Sequence, residues 1–515
     1  MIGQRPAPAR AHVLVPIAAT ANGRLHLGHI GGPMLKLDVM ARQLVRRGDR
    51  AALVSSTDPH DSYVLLRARQ TGQTPTEVVE HWHPLIERDL HAAGIVPDRF
   101  VNLLDEPWSS RFHQLSVGIM QDLAAQGLVT TVRERFPYCA ATGQYVIGGY
   151  LQGECPECGE PTAGYFCEAC ALHFRPDMIT AVARCGLDGC TPSWREIPCL
   201  YARLPDPPAV LRRMTAMGVP GEYHQIVATY LRRHGPLLRL TQPGIWGVPV
   251  RVVGSPVPQV TFTYVVSGLA FLTLCTQLGA EVLGDGQGRT VTAFGFDNSV
   301  PFLLGGLGLA MALPGHRPMD AMLLNHFMTL DGSKFSTSRG HVIWASDLAS
   351  TPGVGSDAIR AYLTTHSPHR TSTDFSRAGF ADFCDSVLRG RWQQAVARAW
   401  AAAPAAGPPA DRLIDRLNGL LAQQDRALEP LDQHPPATMA AVHAWVDDAA
   451  GTADPGWWLK GLALLAAPVL PDFAGRLWRS LGAPGEPLEQ GFTDPAAGPR
   501  APGAPIVGEV PCATP

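Results

Sequence analysis

Ala21-Asn22-Gly23-Arg24-Leu25-His26-Leu27-Gly28-His29 is the stretch on which the fold of this chain depends. It follows the apolar run from His12 to Ala19, which predicts a buried strand. It precedes the amphipathic run from Pro33 to Arg47, which predicts a helix. The stretch is therefore expected to be a strand-to-helix turn. Asn22-Gly23 supplies a permissive backbone there, and the free N–H groups at the start of the helix can bind an anion.

Two histidines in this turn indicate a phosphate site. His26 and His29 are three residues apart, so on one helical turn they share a face. Gly28 between them leaves room for a group against the backbone. Two imidazoles over a helix N-terminus suit a polyphosphate. The alternative is a pair of surface histidines after an ordinary turn, and this stretch by itself leaves that open.

Length and composition are typical of a globular protein with about three domains. The 515 residues are 46% apolar and 17% charged, and the net charge of −3 argues against bulk attraction to nucleic acid, though not against a local basic groove. No segment is seen with the ~18 consecutive apolar residues of a membrane span, and no signal-peptide pattern is found. We therefore expect a cytoplasmic protein without a membrane partner, whose eleven cysteines are reduced or metal-bound.

The first part of the chain alternates strand and helix patterns. The run from Ala51 to Ser55 predicts a second strand, and the polar loop after it contains Asp58 and Asp61. Thr74-Pro75-Thr76-Glu77 is a capping box that opens a helix. Such alternation predicts a parallel sheet covered by helices, with ligands at the carboxyl ends of its strands.

Cysteines in the middle of the chain predict a metal site. Two Cys-x-x-Cys pairs with eight residues between them can place four thiolates tetrahedrally on Zn²⁺. Four thiolates fill the coordination sphere, so this zinc would be structural, whereas a redox role would need only one dithiol. The predicted ligands are Cys155, Cys158, Cys167 and Cys170. Cys185 and Cys190, with Cys139 or Cys199, could form a second and less regular site.

Two later motifs are typical of nucleotide binding. The predicted strand from Thr290 to Phe294 runs into Gly295-Phe296-Asp297, where the glycine would permit close approach of a ribose and the carboxylate would accept from its hydroxyls. An ordinary turn is the alternative. The stretch from Asp331 to Gly340 (DGSKFSTSRG) combines a turn and small hydroxyl residues with Lys334, one of only three lysines in the chain. It can present donors to phosphate on a loop.

Together these motifs resemble those of class I aminoacyl-tRNA synthetases. His26-Leu27-Gly28-His29 resembles the His-Ile-Gly-His signature, and the stretch from Asp331 to Gly340 resembles the second signature, Lys-Met-Ser-Lys-Ser. The preceding Ala21-Asn22-Gly23, and a zinc knuckle between two α/β halves, are similar to methionyl-tRNA synthetases in particular. The resemblance covers about residues 11–380 with good motifs and the remainder weakly.

The resemblance implies a reaction and a set of site residues. With ATP and Mg²⁺, the carboxylate of an amino acid would attack the α-phosphate to form an aminoacyl-adenylate. Asp58 would hold the ammonium group, unless Asp58 and Asp61 only cap their loop, and Asp297 would hold the ribose. The implied catalytic residues are His26, His29 and Lys334; the ATP-binding residues are Asn22, Gly28, Gly295, Asp297, Ser336 and Ser338; and the amino-acid-binding residues are Thr20, Asp58, Tyr264, Phe271 and Phe302.

The chain departs from the family pattern in two places. Thr337 stands where the family has its second loop lysine, and losing one preorganised donor typically costs about 10²–10³ in rate. Arg339 is not equivalent to that lysine. In the amino-acid pocket the family's Tyr, Trp, Tyr and His are replaced, which predicts a different or drier pocket. The replacing residues are Thr20, Tyr264, Phe271 and Phe302.

The predicted fold class is α/β, with a Rossmann-type parallel-sheet catalytic domain split by a zinc-knuckle insertion and followed by an α-helical bundle. In the family this bundle reads the anticodon. Here Trp457-Trp458 could stack on bases, although paired tryptophans in a helix are more often core. The predicted divisions are residues 1–129 and 215–345 for the two catalytic halves, 130–214 for the insertion, 346–485 for a reduced bundle and 486–515 for a disordered tail.

We therefore expect a methionyl-tRNA synthetase-like ligase that uses ATP, Mg²⁺ and Zn²⁺ and transfers methionine or an analogue to tRNA. One alternative is a paralogue that passes the adenylate to a small-molecule amine. Another is a non-catalytic tRNA-binding paralogue. Thr337 favours these alternatives, whereas the intact His26/His29 pair argues against complete decay. The oligomeric state is left open, with a monomer as the simplest expectation.

Overall fold

The computed structural model describes residue 2 and residues 9–186, 188–284, 288–336, 340–402 and 407–494. The predictions made for Thr337, Ser338 and Arg339 lie outside the described residues, as does most of the segment 486–515.

A six-stranded parallel sheet forms the centre of the molecule, as predicted. The first strand, Ala11–Pro16, lies between Arg50–Asp58 and Arg289–Gly295, with Val13 opposite Ala52 and Thr290. The carboxyl ends of these strands therefore meet at one edge. The strands follow the order Ala321–Asn325, Arg289–Gly295, Ala11–Pro16, Arg50–Asp58 and Ala19–Thr20, and Arg99–Val101 also pairs with Arg50–Asp58.

Both faces of this sheet are buried. Val13 and Val15 belong to one apolar cluster and Leu14 to another, because successive side chains of a strand point to opposite faces. A buried parallel sheet covered on both sides is the doubly wound arrangement that the alternating pattern predicted. The helices of the two α/β halves are Leu27–His29, Leu35–Arg46, Ser62–Thr71, Pro75–Ala92, Trp108–Ala125, Pro207–Ala216, Gly221–His234, Gly268–Leu283, Leu309–Ala312 and Ala345–Ala349.

The insertion is built from antiparallel strands. Its larger sheet has the order Leu237–Arg239, Ser193–Arg203, Val129–Cys139 and Gln144–Tyr145, so one strand from beyond residue 214 completes it. Its smaller sheet has the order Pro161–Ala163, Leu151–Glu154 and Thr180–Cys185 and carries the cysteine motifs. The remaining short strands are Thr241–Pro243, Pro249–Val250, Gln259–Thr261, Met328–Leu330, Ser333–Lys334 and Thr373–Phe375.

One helix, spanning Thr263–Leu283, is long and apolar enough to cross a membrane by length and composition. The helix contains Gln277 and Glu281, so it is not the uninterrupted apolar run that the sequence was expected to lack, although its mean composition meets the length test. However, 61% of its most apolar window is buried inside the protein. A Cβ added at Gly279 would lie 2.3 Å from Cγ1 of Val13, so the helix packs closely on the central strand. A helix covered on most sides can be apolar all round without meeting lipid.

The C-terminal region is helical apart from Thr373–Phe375. Trp458 is 1% exposed, and its indole N–H donates to the carbonyl of Trp445 while the Trp445 indole donates to the carbonyl of Trp458. Trp458 is therefore a core residue and cannot stack on a base. The helices of this region are Ser356–Thr365, Arg377–Asp382, Phe383–Trp392, Gln393–Ala401, Asp411–Ala427, Pro436–Asp447, Pro455–Ala466 and Pro471–Ser480.

Arg360 joins the bundle to the catalytic half. Its side chain is fully buried, pairs with Asp38 at 2.6 Å, and donates to the carbonyls of Pro468 and Val469. We expect Arg360→Ala to lower the free energy of unfolding by about 3–5 kcal/mol, because the buried carboxylate of Asp38 and the two backbone carbonyls would lose their charged partner. Urea unfolding followed by circular dichroism measures this. The exposed Arg398→Ala is the matched control, and equal effects of the two substitutions would contradict the assignment.

Candidate active site

The strand-to-helix turn is closed by its two histidines. His26 is the N-cap: its Nδ1 accepts from the N–H of Gly28 at 3.1 Å, while Nδ1 of His29 accepts from the N–H of His26 at 3.3 Å. The two imidazoles stack with their centroids 3.7 Å apart. A Cβ at residue 28 would lie 3.0 Å from the His26 ring, so a larger residue there would push against the ring. The predicted shared face of the two histidines is thus present.

Asp89 supports this turn through hydrogen bonds, and no sequence motif indicated it. The carboxylate is buried and accepts from the guanidinium of Arg24 at 2.8 Å and from the N–H of Leu25 at 3.1 Å. It also accepts from the N–H of Ser346, which follows the second signature stretch. One acidic side chain therefore ties the first motif to the segment behind the second.

Both histidines are neutral at physiological pH. Burial, followed by the neighbouring His29, lowers the pKa of His26 to about 2. Enclosure in the cleft lowers the pKa of His29 to about 4, against the opposing effect of Asp89, although its ring remains accessible to solvent. A neutral imidazole whose Nδ1 accepts a backbone hydrogen bond carries its proton on Nε2. Each ring can therefore donate one hydrogen bond to a phosphate oxygen.

The second signature stretch contacts the first. The ring of Phe335 stacks on His26 with a centroid distance of 4.4 Å and nearly parallel planes. Lys334 is exposed and forms an ion pair with Glu168, which lies between Cys167 and Cys170. Stretches about 300 residues apart in sequence thus meet at one cleft, and the cysteine-rich segment contacts it too. Nothing in the sequence distinguished Glu168 from any other charged loop residue.

Gly295 and Asp297 lie at the carboxyl end of the strand next to the first one. A Cβ at residue 295 would lie 2.8 Å from Oδ1 of Asp297, so this glycine admits the carboxylate. Burial, followed by the charge of Glu168, raises the pKa of Asp297 to about 6. Asn325 ends the following strand, and its buried Oδ1 has no hydrogen-bond partner in the described part of the chain. It lies beside Gly32 and is a polar site residue that the sequence motifs missed.

Asp58 and Asp61 form a buried acidic pair. Asp61 is the N-cap of Ser62–Thr71 and accepts from the hydroxyl of Tyr264 at 2.9 Å. Asp58 accepts from the N–H of His60 at 2.9 Å and from the hydroxyl of Thr263 at 3.0 Å. Burial, followed by the charge of Asp61, raises the pKa of Asp58 to about 7. The alternative that these residues only cap their loop fits Asp61, which caps a helix. Asp58, in contrast, is a buried carboxylate, and burying a carboxylate without a cation is costly.

Of the other residues predicted to bind the amino acid, Thr20 lies beside Asp58, whereas Phe271 and Phe302 lie in an apolar cluster. Thr20 pairs with Asp58 across neighbouring strands, and the N–H of Asn22 donates to the Thr20 carbonyl. Phe302 stacks on Phe294 at 4.4 Å and is mostly buried in the apolar cluster that also contains Phe271. Ser336 lies at the cleft end of the second stretch, where its backbone pairs with that of His341.

The four cysteines of the paired motifs converge. Their sulfur atoms all lie within 4.8 Å of one another, with 3.6 Å between Cys155 and Cys170 and between Cys158 and Cys167. Zn–S bonds of about 2.3 Å in a tetrahedron require sulfur separations of about 3.8 Å. Gly159 takes the positive φ of 76° that the first turn needs. The residues present therefore fit a structural zinc ion.

A second group forms from Cys139, Cys185 and Cys190 together with Asp188. Of the two alternatives for its third thiol, the structure selects Cys139. Cys199 lies instead in the apolar core beneath the sheet. Three thiols and one carboxylate have the ligand count of a tetrahedral site.

Comparisons with known proteins agree with this architecture. The family model described as tRNA synthetases class I (M) matches residues 13–277 and 301–400. The methionine–tRNA ligase of Roseiflexus sp. (strain RS-1) is 29% identical over 456 residues, which cover 81% of this chain and 74% of that protein. That of Methanopyrus kandleri is 28% identical over 387 residues, covering 73% of this chain and 57% of that protein.

Solved structures show the same fold. Mycobacterium tuberculosis methionyl-tRNA synthetase bound by methionyl-adenylate aligns with a TM-score of 0.73 at 16% identity, covering 96% of this chain and 100% of that chain. At this identity the likeness is evidence for the fold alone. The family match extends over most of the chain and includes both α/β halves, the insertion and the start of the bundle. The chain therefore belongs to the class I tRNA synthetases of the methionyl type, a family of ATP-dependent ligases.

Proposed function

We propose that this protein activates an amino acid with ATP, releases pyrophosphate and transfers the acyl group of the resulting adenylate to a tRNA. The observation that carries the proposal is the contact between the two signature stretches. Phe335 stacks on His26, which places Lys334 and the histidine turn on the same cleft. Methionine or an analogue is the proposed amino acid, in line with the names of the relatives.

Positioning and charge stabilisation supply the catalysis. The substrate carboxylate attacks the α-phosphate without a general base, so the reaction needs alignment of the two reactants. Neutral His26 and His29 donate to phosphate oxygens, and Lys334 adds the positive charge that stabilises the transferring group. Asp297 accepts from the ribose hydroxyls, with Gly295 leaving space for them. Mg²⁺ would neutralise the leaving pyrophosphate, and the four-cysteine zinc would hold the insertion in shape.

Lys334 must exchange partners for this to occur. In the structure its ammonium is paired with Glu168 of the insertion. The pair is exposed, and such pairs contribute at most about 1 kcal/mol, so the polyphosphate of ATP can displace the carboxylate. Glu168 thereby holds the loop lysine at the cleft until the nucleotide binds.

Amino-acid-dependent ATP–pyrophosphate exchange tests the first half-reaction across a panel of amino acids, and a tRNA-charging assay tests the second. We expect exchange with methionine or a close analogue, followed by charging. Exchange with no amino acid would contradict the proposed activation. Exchange without charging would retain activation and assign the acyl group to another acceptor.

Asp58 gives the exchange reaction a specific pH dependence. A carboxylate is needed to bind the substrate ammonium, and its pKa is raised to about 7 in the free protein. We therefore expect kcat/KM for the amino acid to rise about tenfold per pH unit below that value and then to level off. A pH profile of the exchange rate at subsaturating amino acid measures this.

Asp61→Asn provides the matched variant, because asparagine retains the helix cap and removes only the neighbouring negative charge. The acid limb should move to lower pH in this variant, since like charges raise a carboxyl pKa. An acid limb that stays in place would show that Asp58 does not govern binding.

A further inference from the structure

A cavity lies between the insertion and the second α/β half. Its walls are mainly aromatic and include Tyr165, Tyr230, Phe262 and Tyr264. Tyr264 also donates to Asp61, so one wall of the cavity belongs to the proposed amino-acid site. Among the described residues, no acidic side chain lines the cavity, whereas Arg175 and Arg239 do.

Arg239 is a buried cation, and one of its terminal nitrogens is unpaired among the described residues. Its side chain is 5% exposed, and Nη2 donates to Oε2 of Glu134 at 2.5 Å. The other oxygen of Glu134 accepts from the hydroxyl of Tyr201. Nη1 of Arg239, in contrast, has no hydrogen-bond partner in the described part of the chain. Leaving a buried donor unpaired costs about 1–3 kcal/mol, and more for a charged group.

Tyr165 supplies a second unused donor in the same cavity. It is 2% exposed, and among the described residues its hydroxyl donates to no acceptor, although it lies close enough to Arg239 for that guanidinium to favour its ionised form. The guanidinium of Arg239 lies 4.7 Å from the centre of the Tyr165 ring and 5.3 Å from that of Phe262. Two buried donors therefore converge between aromatic faces.

The neighbouring groups leave this site positive. Burial lowers the pKa of His173 and His234 to about 4, so both lining histidines are neutral. Glu134 pairs directly with Arg239, and burial raises the pKa of its carboxyl, while Arg175 is a second cation in the lining. An uncharged ligand would leave the positive charge of the site uncompensated, whereas an anion would neutralise it.

We propose that the cavity binds the carboxylate of a small organic acid through Nη1 of Arg239 and the hydroxyl of Tyr165, with a flat or apolar body between the aromatic walls. A carboxylate matches the planar fork of arginine. Because Tyr264 is shared with the proposed amino-acid site, the carboxylate belongs either to the side chain of the activated amino acid or to a second, separate substrate. This last step rests on the proposed function, whereas the binding site itself does not.

Isothermal titration of the full-length protein with benzoate, without ATP, tests the site. We expect one benzoate per chain, with benzamide at least ten-fold weaker because it lacks the charge. Arg239→Met should weaken benzoate about 10-fold or more, and Tyr165→Phe, which removes only a hydroxyl, about 5- to 10-fold. Arg133→Met, at an arginine 70% exposed on the strand that carries Glu134, should leave the affinity unchanged.

The outcomes separate the two carboxylate sources. Benzoate that competes with the amino acid in pyrophosphate exchange places the carboxylate on the amino-acid side chain; dicarboxylic amino acids, in place of methionine, should then support exchange. Benzoate that binds without competing assigns it to a separate substrate. No binding to the unmodified protein, or equal binding by the Tyr165→Phe variant, would overturn the inference. Loss of exchange with benzoate binding intact would refute only the proposed function.

Discussion

His29→Ala should lower amino-acid-dependent ATP–pyrophosphate exchange by about 10²–10³ while leaving the fold intact. Removing one preorganised donor to a charged transition state typically has this effect. His29 is the better target of the pair, because it is the more exposed residue and its cap hydrogen bond is the longer one at 3.3 Å, whereas the ring of His26 caps Gly28 and also stacks on Phe335. The loss should appear mainly in kcat if the hydrogen bond strengthens as the α-phosphate is attacked.

His81→Ala is the matched control, since His81 is an exposed histidine on a neighbouring helix and outside the cleft. Its exchange rate should equal that of the unmodified protein. Thermal unfolding of both variants should differ little, which separates a catalytic loss from misfolding. Full activity in the His29→Ala variant would contradict the placement of ATP over this turn.

Zinc removal should have the second large effect. Cys158 is an exposed member of the four-cysteine group, so Cys158→Ser costs little packing and removes one thiolate. We expect loss of one zinc ion per chain and a fall in Tm of about 5–10 °C, because metal-binding free energy is folding free energy in such knuckles. Elemental analysis and calorimetry measure the two quantities.

Exchange should fall in the same variant. Glu168 lies between Cys167 and Cys170 and pairs with Lys334, so a disordered knuckle would release the loop lysine. Cys384→Ala, at a buried cysteine of the bundle, should leave the zinc content unchanged. Cys190→Ser would reduce the zinc content from two ions to one if the second group also binds metal. Freshly purified protein without zinc would refute the knuckle.

Signals that depend on a few neighbouring residues were dependable. The capping box of Thr74 and Glu77 is present, with the N–H of Glu77 donating to Oγ1 of Thr74 at 3.2 Å. The cysteine spacing brought four sulfurs together, and the turn at His26 begins a helix as expected. Turns, caps and apolar periodicity are formed by residues close in sequence, so their energetics can be read without knowing the rest of the fold.

Sequence motifs did not indicate the residues that surround the site. Asp89 supports the histidine turn from a helix more than 60 residues later, and Asn325, beside Gly32, adds an oxygen that is unpaired among the described residues. The apolar helix ending at Leu283 met the length criterion for a membrane span but lies in the core. Trp458 is buried although its sequence context also suited stacking. Each outcome depends on which distant surfaces pack together.

By itself, then, the sequence determined the α/β class, the two signature stretches, the cysteine group and hence the family. Only the tertiary structure decided that Glu168 meets Lys334, and that the guanidinium of Arg239 lies over Tyr165 with Nη1 unpaired in the part of the chain that the structure describes. The physical reason is that local hydrogen bonds and hydrophobic periodicity are short-range properties of the chain. The pairing of buried charges, in contrast, depends on side chains that only the packing of the insertion against the central sheet brings into contact.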